Sequence, residues 1–305
     1  MQVDAQAPAE VVAHHAGSLN GVMNAEIGPG FTSATGIGFK NIGGPSVGLA
    51  NQIRSGQIQT DVYMSADAEV NDEVLMGSQN GDLVRWYFIM CRQRMVIAYA
   101  KAGRFGEDLD AAAAGRKPWY DVLRQPGFTL RRSDPRNDPG GYRGVFVLAL
   151  AEQHYGIPGL KDAVLKGDDN DQQIAAGAYA GLKDGSIDAY ITYITNAIEN
   201  GVPYIELPRE IDQSDPTLGP LYAGAAYTNP QGQTFRGTPL VYGVTIPTNA
   251  RNPEGAAEFV KYLMTEPGQG ALAKRGFLPS DVLVGGDERA VPQPLQTLIR
   301  GRYAR

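Results

Sequence analysis

Two rhythms of apolar and polar residues run along the chain. Short apolar or alternating runs predict strands at "EVVAHHA" (10–16), "TGIGFKNIG" (35–43), "TDVYMSAD" (60–67), "RMVIAYA" (94–100), "SIDAYITY" (186–193), "VPYIELP" (202–208) and "PLVYGVTIP" (239–247). Between them, apolar residues spaced at three and four predict helices. These are a helix opening at Gly17-Ser18, "SVGLANQIRSG" (46–56) closed by Gly56, "PWYDVLRQPG" (118–127), "GYRGVFVLALAEQHYG" (141–156) and "IAAGAYAGLKDG" (174–185) closed by Gly185. The stretch 252–277 predicts a helix interrupted at Pro267-Gly268. Alternation of the two kinds predicts an α/β fold with largely parallel sheets.

The polar positions that interrupt these runs fall in one kind of place. Ser18 follows the strand 10–16, Ser46 opens a helix after Gly43-Gly44-Pro45, and Ser65 closes the strand begun at Thr60. Asp138-Pro139 opens the helix that carries Gly141, Tyr142 and Arg143, and Thr195 follows the strand 186–193. In open α/β sheets ligands gather where strands end and helices begin. Helix N-termini there present free N–H groups and the positive end of the helix dipole. Several of them together make an anion site without a lysine or arginine. Each position also has a plainer reading. Serine and aspartate are the usual N-caps, Asp134-Pro135 reads as a turn, and Tyr142, Tyr193 and Tyr242 read as core tyrosines with satisfied hydroxyls.

Composition narrows the classes. The chain has 305 residues, 43% apolar and 20% charged, enough for two modest domains. A net charge of −6 gives no bulk attraction for nucleic acid or an anionic membrane. Any anion must be held by local dipoles and hydrogen-bond donors. The single cysteine, Cys91, excludes an internal disulfide and reads as a small buried hydrophobe. No run of 18 apolar residues occurs. Neighbours on a strand point to opposite faces, so His14-His15 cannot chelate one ion, and no metal site or cofactor is expected. The acidic stretch "KGDDNDQQ" (166–173) lacks the order of a calcium loop. The nucleophile-elbow, P-loop and dinucleotide glycine motifs are absent.

Taken in order, "HAGSL" (15–19), "PSVGLANQI" (45–53), "DVYMSAD" (61–67), "SDPRNDPGGYR" (133–143), "GSIDAYITYIT" (185–195), "YIELPREI" (204–211) and "VYGVTIP" (241–247) resemble the archaeal-type molybdate/tungstate-binding proteins of ABC importers. The resemblance covers nearly the whole chain. It implies a type II periplasmic-binding-protein fold with two lobes joined by two crossover strands, "MVIAYA" and "PLVYGVTIP". Lobe I would be 1–95 with 240–305 and lobe II 96–239, with the oxyanion in a cleft that closes between them. Ser18 and Ser46 match the family's oxyanion-contacting serines, Asp138 a carboxylate that approaches the metal centre, and Tyr193 a tyrosine near the site. Ser65, Gly17, Gly141, Tyr142 and Thr195 complete the candidate set. The family's second carboxylate falls on Ala175, with Gln172 and Gln173 beside it, and Glu210 of "LPREI" is not carried over as a ligand. That departure leaves room for another oxyanion or a small organic anion. The implied function is an extracytoplasmic receptor, periplasmic or lipid-anchored at the cell surface. It would be a monomer without enzymatic activity that delivers its anion to a membrane permease. Its export signal would have been removed ahead of Met1, since 1–19 holds no basic segment followed by an apolar one. An Asp-dependent hydrolase using Asp138 and Asp134 is the rival of another class; it lacks a histidine or lysine placed to serve it. A cytosolic sensor is a third, without a DNA-binding helix-turn-helix.

Overall fold

The computed structural model describes residues 10–166 and 177–303. Ala175 and the whole of the acidic stretch after Lys166, Gln172 and Gln173 included, lie outside the described residues. The chain divides into two compact units. One runs up to Cys91 and resumes at Val241; the other is Arg92–Leu240. The chain therefore passes between them twice, at 91–92 and at 240–241.

The first unit is built on a seven-stranded sheet. Its spatial order is Gly301–Arg302, Leu283–Gly286, Trp86–Arg92, Val241–Thr245, Val62–Ser65, Glu10–Ala16, Gly38–Gly44. Glu10–Ala16 runs parallel to both Gly38–Gly44 and Val62–Ser65, so these three strands end at one edge. Val241–Thr245 runs antiparallel to Val62–Ser65, with Gly243 opposite Ser65. Its beginning therefore lies at the edge where the other three end. The 62–65 and 241–245 strands are buried along their whole length. Against one part of this unit packs an aromatic cluster. Phe39 stacks on Phe259 at 4.5 Å, and Phe31 meets both edge-on.

The second unit holds a four-stranded sheet in the order Leu130–Arg131, Ala189–Tyr193, Met95–Tyr99, Tyr204–Glu206. A separate antiparallel hairpin pairs Ala226–Thr228 with Thr234–Arg236. Leu130–Arg131 is parallel to Ala189–Tyr193, while Met95–Tyr99 is antiparallel to both its neighbours. The expectation of largely parallel sheets is thus corrected: both sheets are mixed. The reason in the first unit is the return of the chain at Val241, which enters at the edge where the parallel strands finish and so runs against them.

The longest helix, Pro139–Tyr155, is buried over nearly all of its circumference, as an interior helix should be, and stops at Gly156 in the left-handed conformation (φ 64°). The expected break at Pro267-Gly268 falls elsewhere. Helix Pro253–Met264 ends at Thr265, and Pro267 lies in the first turn of the next helix, Glu266–Lys274. Proline suits a first turn because its missing N–H has no intrahelical partner there anyway. Cys91 is buried as expected, and burial pushes its thiol well up from the ordinary value.

Candidate functional site

In the first unit the serines do not do what serines at helix starts usually do. Ser18 lies in the 3-10 turn Gly17–Leu19, which follows the strand without a break and has no side-chain cap. Its Oγ shares a hydrogen bond with the hydroxyl of Tyr242 at 2.8 Å. Ser46 is the first residue of helix Ser46–Arg54, whose N-cap is Pro45. The Ser46 hydroxyl accepts from the Ala66 N–H at 3.1 Å, and Tyr63 donates to the Ser46 carbonyl at 2.7 Å. The capping explanation therefore fails for both. Each side chain instead ties a strand end to a neighbour across the same edge of the sheet.

Ser65 is fully buried and accepts from Asn71 Nδ2 at 3.4 Å. Asn71 Nδ2 also donates to the Ala68 carbonyl, while its Oδ1 is buried with no hydrogen-bond partner. The crowding here requires Gly243: a Cβ on it would lie 2.9 Å from Asn71 Nδ2 and 3.3 Å from Ser65 Oγ. Gly17 sits in open space, where a Cβ would meet only the Gly44 carbonyl at 3.9 Å. Ser18, Ser46, Ser65 and Tyr242 are thus gathered at the edge where the parallel strands end. The first turn of helix Ser46–Arg54 adds N–H groups to the same edge, since its first intrahelical bond is made only by the Leu49 N–H.

In the second unit Asp138 is an N-cap, as its sequence position suggests. Its Oδ1 accepts from the Gly140 N–H at 2.9 Å. The residue is half-buried, but its carboxyl is walled in by neighbouring atoms. That desolvation pushes its pKa up to about 6, with the charge of Asp134 adding to the rise. Hydrogen bonds from Gly140 and Ser133 pull in the opposite direction without prevailing. Ser133 in turn shares a hydrogen bond with the Tyr190 hydroxyl at 3.0 Å, and Tyr179 shares one with Thr192 at 2.9 Å. The charge of Asp138 reaches both tyrosines, whose hydroxyls are pushed upward mainly by burial, Tyr190 to about 12.

Gly140 marks the point where these groups meet. A Cβ placed on it would be 3.4 Å from Asp138 Oδ1 and from Ser133 Oγ, and 3.6 Å from the ring of Tyr193. Asp138 and Tyr193 are therefore brought together. Thr195 lies in the first turn of helix Ile194–Asn200, and its hydroxyl accepts from Gln93 Nε2 at 2.6 Å.

Two candidates belong to the packing. Tyr142 is fully buried and stacks on Phe235 at 4.5 Å and 5°. Gly141 is where the chain passes within 2.5 Å of a would-be Cβ, at Pro135 and the Ser133 carbonyl. Asp134 is clamped by Arg136 through Nε at 2.8 Å and Nη2 at 2.7 Å, which settles it as a turn residue. His15 has both ring nitrogens engaged, by the Ala16 carbonyl and Asn41. Among the described residues no group of His, Cys, Asp and Glu could hold a metal ion, and no helix is long and apolar enough to cross a membrane.

Sequence reasoning passed over Asn71, Ser133 and Tyr190, and read Tyr242 as a core tyrosine. Tyr242 and Tyr190 sit inside apolar strands, where a tyrosine reads as core. Ser133 stood beside two more conspicuous Asp-Pro pairs. The close approach of Gly243 to Asn71 and Ser65 has no counterpart in a linear reading. One consequence is testable here. Ser46→Ala leaves the buried Ala66 N–H without its acceptor and should cost about 1–3 kcal/mol in urea unfolding. An unchanged midpoint would remove that bond from the account.

Two α/β units linked by two chain passages, each with hydroxyls and a helix start at its strand ends, define the type II periplasmic-binding class. The periplasmic molybdate-binding protein of Azotobacter vinelandii has this fold. It superposes with a TM-score of 0.63 at 16% identity, covering 88% of this chain and 99% of that one. The chain belongs to the bacterial extracellular solute-binding protein family, whose pattern matches residues 11–278. A solute-binding protein of Petrotoga mobilis is 28% identical over 302 residues, 96% of this chain and 90% of that protein. The molybdate/tungstate-binding protein WtpA of Thermococcus kodakarensis is 26% identical over 290 residues, 87% and 79% respectively.

Proposed function

We propose that the protein is the receptor of an ABC importer and binds a tetrahedral oxyanion, molybdate or tungstate foremost. In this reading it works as a monomer outside the cytoplasmic membrane, free or lipid-anchored, delivers the anion to a membrane permease, and performs no chemistry on it. Hydroxyls of Ser18, Ser46 and Tyr242, with the N–H groups opening helix Ser46–Arg54, serve one side of the anion. Asp138 and the hydroxyl set around it are the groups that the second unit offers. The likeness to WtpA supports the choice of anion. The observation that carries the reading is the gathering of Ser18, Ser46 and Tyr242 at one sheet edge without capping: Ser46 accepts from the Ala66 N–H and so keeps its own proton to donate, and the Ser18–Tyr242 pair has one hydroxyl proton beyond the bond it shares. Ser18→Ala should then weaken anion binding by about 1.5–3 kcal/mol, one charge-assisted hydrogen bond. Calorimetric titration showing unchanged affinity would take Ser18 out of the site.

A second reading is favoured by the burial of the Asp138 carboxyl, which holds its proton up to about 6. Ala175 stands where the resemblance places a second carboxylate, and Ser133 and Tyr190 surround the one that is present. An anion that stays four-coordinate, such as sulfate or phosphate, would be met by a protonated Asp138 donating a hydrogen bond. The two readings differ in sign with pH. A carboxylate that adds an oxygen to the metal of tungstate must first lose its proton, so affinity holds above the Asp138 value of about 6 and falls below it. A protonated Asp138 serving as donor makes affinity rise as pH falls through the same value. Calorimetry with tungstate, molybdate, sulfate and phosphate between pH 5 and 8 reads both arms. Sub-micromolar tungstate binding that weakens below pH 6 supports the first; silence for all four anions ends the oxyanion assignment.

A further inference from the structure

Within the second unit a chain of buried polar contacts joins the starts of helices Pro139–Tyr155 and Ile194–Asn200 to the two segments where the chain passes between units. Arg143, one turn into the helix capped by Asp138, is fully buried. Its Nη1 donates to Gln213 Oε1 at 2.9 Å and to the Thr238 carbonyl at 2.5 Å, and its Nη2 donates to Thr238 Oγ1 at 2.9 Å. Gln213 answers by donating Nε2 to the Arg143 carbonyl at 3.2 Å. The Leu240 N–H then donates to the Gln213 carbonyl at 2.7 Å, and the Gln93 N–H donates to the Leu240 carbonyl at 3.0 Å. Gln93 closes the path. Its Nε2 donates to Thr195 at 2.6 Å, its Oε1 accepts from the Arg94 N–H, and the Arg94 carbonyl accepts from the Ile194 N–H. Gln93 is fully buried, and Gln213 holds a left-handed backbone (φ 63°), a conformation a non-glycine residue keeps only when its surroundings demand it.

We infer that Arg143 and Gln93 are positioning residues, coupling the helix starts at Asp138 and Thr195 to the two linking segments 92–94 and 238–240. A fully satisfied buried polar network is rigid and has few alternative arrangements. A displacement of the helix starts by a ligand is therefore carried to both linking segments together, and the segments in turn hold the helix starts in register. The inference rests on the anion-receptor reading for its purpose, though not for the coupling itself.

The test uses the full chain and two variants, Gln93→Leu and Thr238→Val, chosen so that the buried guanidinium stays in place. Amide hydrogen exchange on the ligand-free protein reads the coupling directly. Thr238→Val should raise exchange not only at Leu240 but at Gln93 and Ile194, on the other linking segment and helix; Gln93→Leu should do the reverse. Changes confined to the substituted segment overturn the coupling, whatever the protein binds. Stopped-flow titration with tungstate then reads the consequence. Gln93→Leu should speed tungstate dissociation about tenfold with binding stoichiometry and association rate unchanged. A merely structural residue would lower the stoichiometry and leave the dissociation rate alone, and that result overturns the positioning role. Failure of the unsubstituted protein to bind tungstate at all would instead count against the receptor reading.

Discussion

Asp138→Asn should make the protein more stable at pH 8 and weaken its binding of tungstate. The wild-type carboxyl ionises at about 6 in the folded chain against an ordinary 3.8. A group raised in this way favours folding fully below its unfolded value, and that contribution is lost as pH rises through the folded one. Above pH 6 the fold therefore carries a buried charge at a cost of about 2–3 kcal/mol. Asparagine has the same shape, caps a helix equally well and bears no charge, so the cost disappears. Urea unfolding should show the variant ahead by that margin at pH 8 and level with wild type at pH 4. Tungstate affinity should fall at least a hundredfold, about 3 kcal/mol, because the amide cannot supply an anionic oxygen. Equal stability at pH 8 would mean that the carboxyl is not desolvated. Retained tungstate affinity would mean that it is not a ligand.

Gly141→Ala should be the most damaging conservative change in the second unit. A Cβ there would sit 2.4 Å from the Pro135 nitrogen and 2.5 Å from the Ser133 carbonyl, and backbone cannot swing aside as a flexible side chain can. Overpacking of this kind costs about 3 kcal/mol at the upper end of its usual range. The strain falls on the segment that holds Ser133 against Asp138, so binding should fail with stability. Gly140→Ala is the informative partner. Its Cβ would meet Asp138, Ser133 and Tyr193 at ordinary contact distances of 3.4–3.6 Å. The fold should survive it with an unchanged melting temperature, while the space between those three groups is filled and anion affinity drops. If Gly140→Ala binds as tightly as wild type, the meeting point of these side chains is not where the ligand goes.

The elements that could be read in the sequence were those with a clear period and clear ends. Ser46–Arg54, Met95–Tyr99 and Ala189–Tyr193 announce themselves by spacing and by glycines placed to stop a helix, and Asp138-Pro139 fixes a helix start to the residue. Trp86–Arg92 did not register as a strand because it is buried almost throughout and shows no alternation. The hairpin Ala226–Thr228 with Thr234–Arg236 was missed because three-residue strands carry too little pattern. The site divides along the same line. Strand ends and helix starts are local features, so Ser18, Ser46 and Asp138 could be picked out as positions. Their partners could not, because Ser18 meets Tyr242 across 224 residues and the arrangement exists only once the strands pair. Tyr142 illustrates the converse: one residue beyond Gly141 on a helix faces a different neighbour, here Phe235.

The buried, unreactive Cys91 has a practical consequence. It is the chain's single cysteine, 1% exposed, at the last position before the chain first leaves the first unit. Thiol-directed dyes and spin labels require a deprotonated, reachable sulfur, and this one is neither. A new cysteine at an open position should therefore take a fluorophore selectively on the otherwise native chain, and its emission can be followed as tungstate is added.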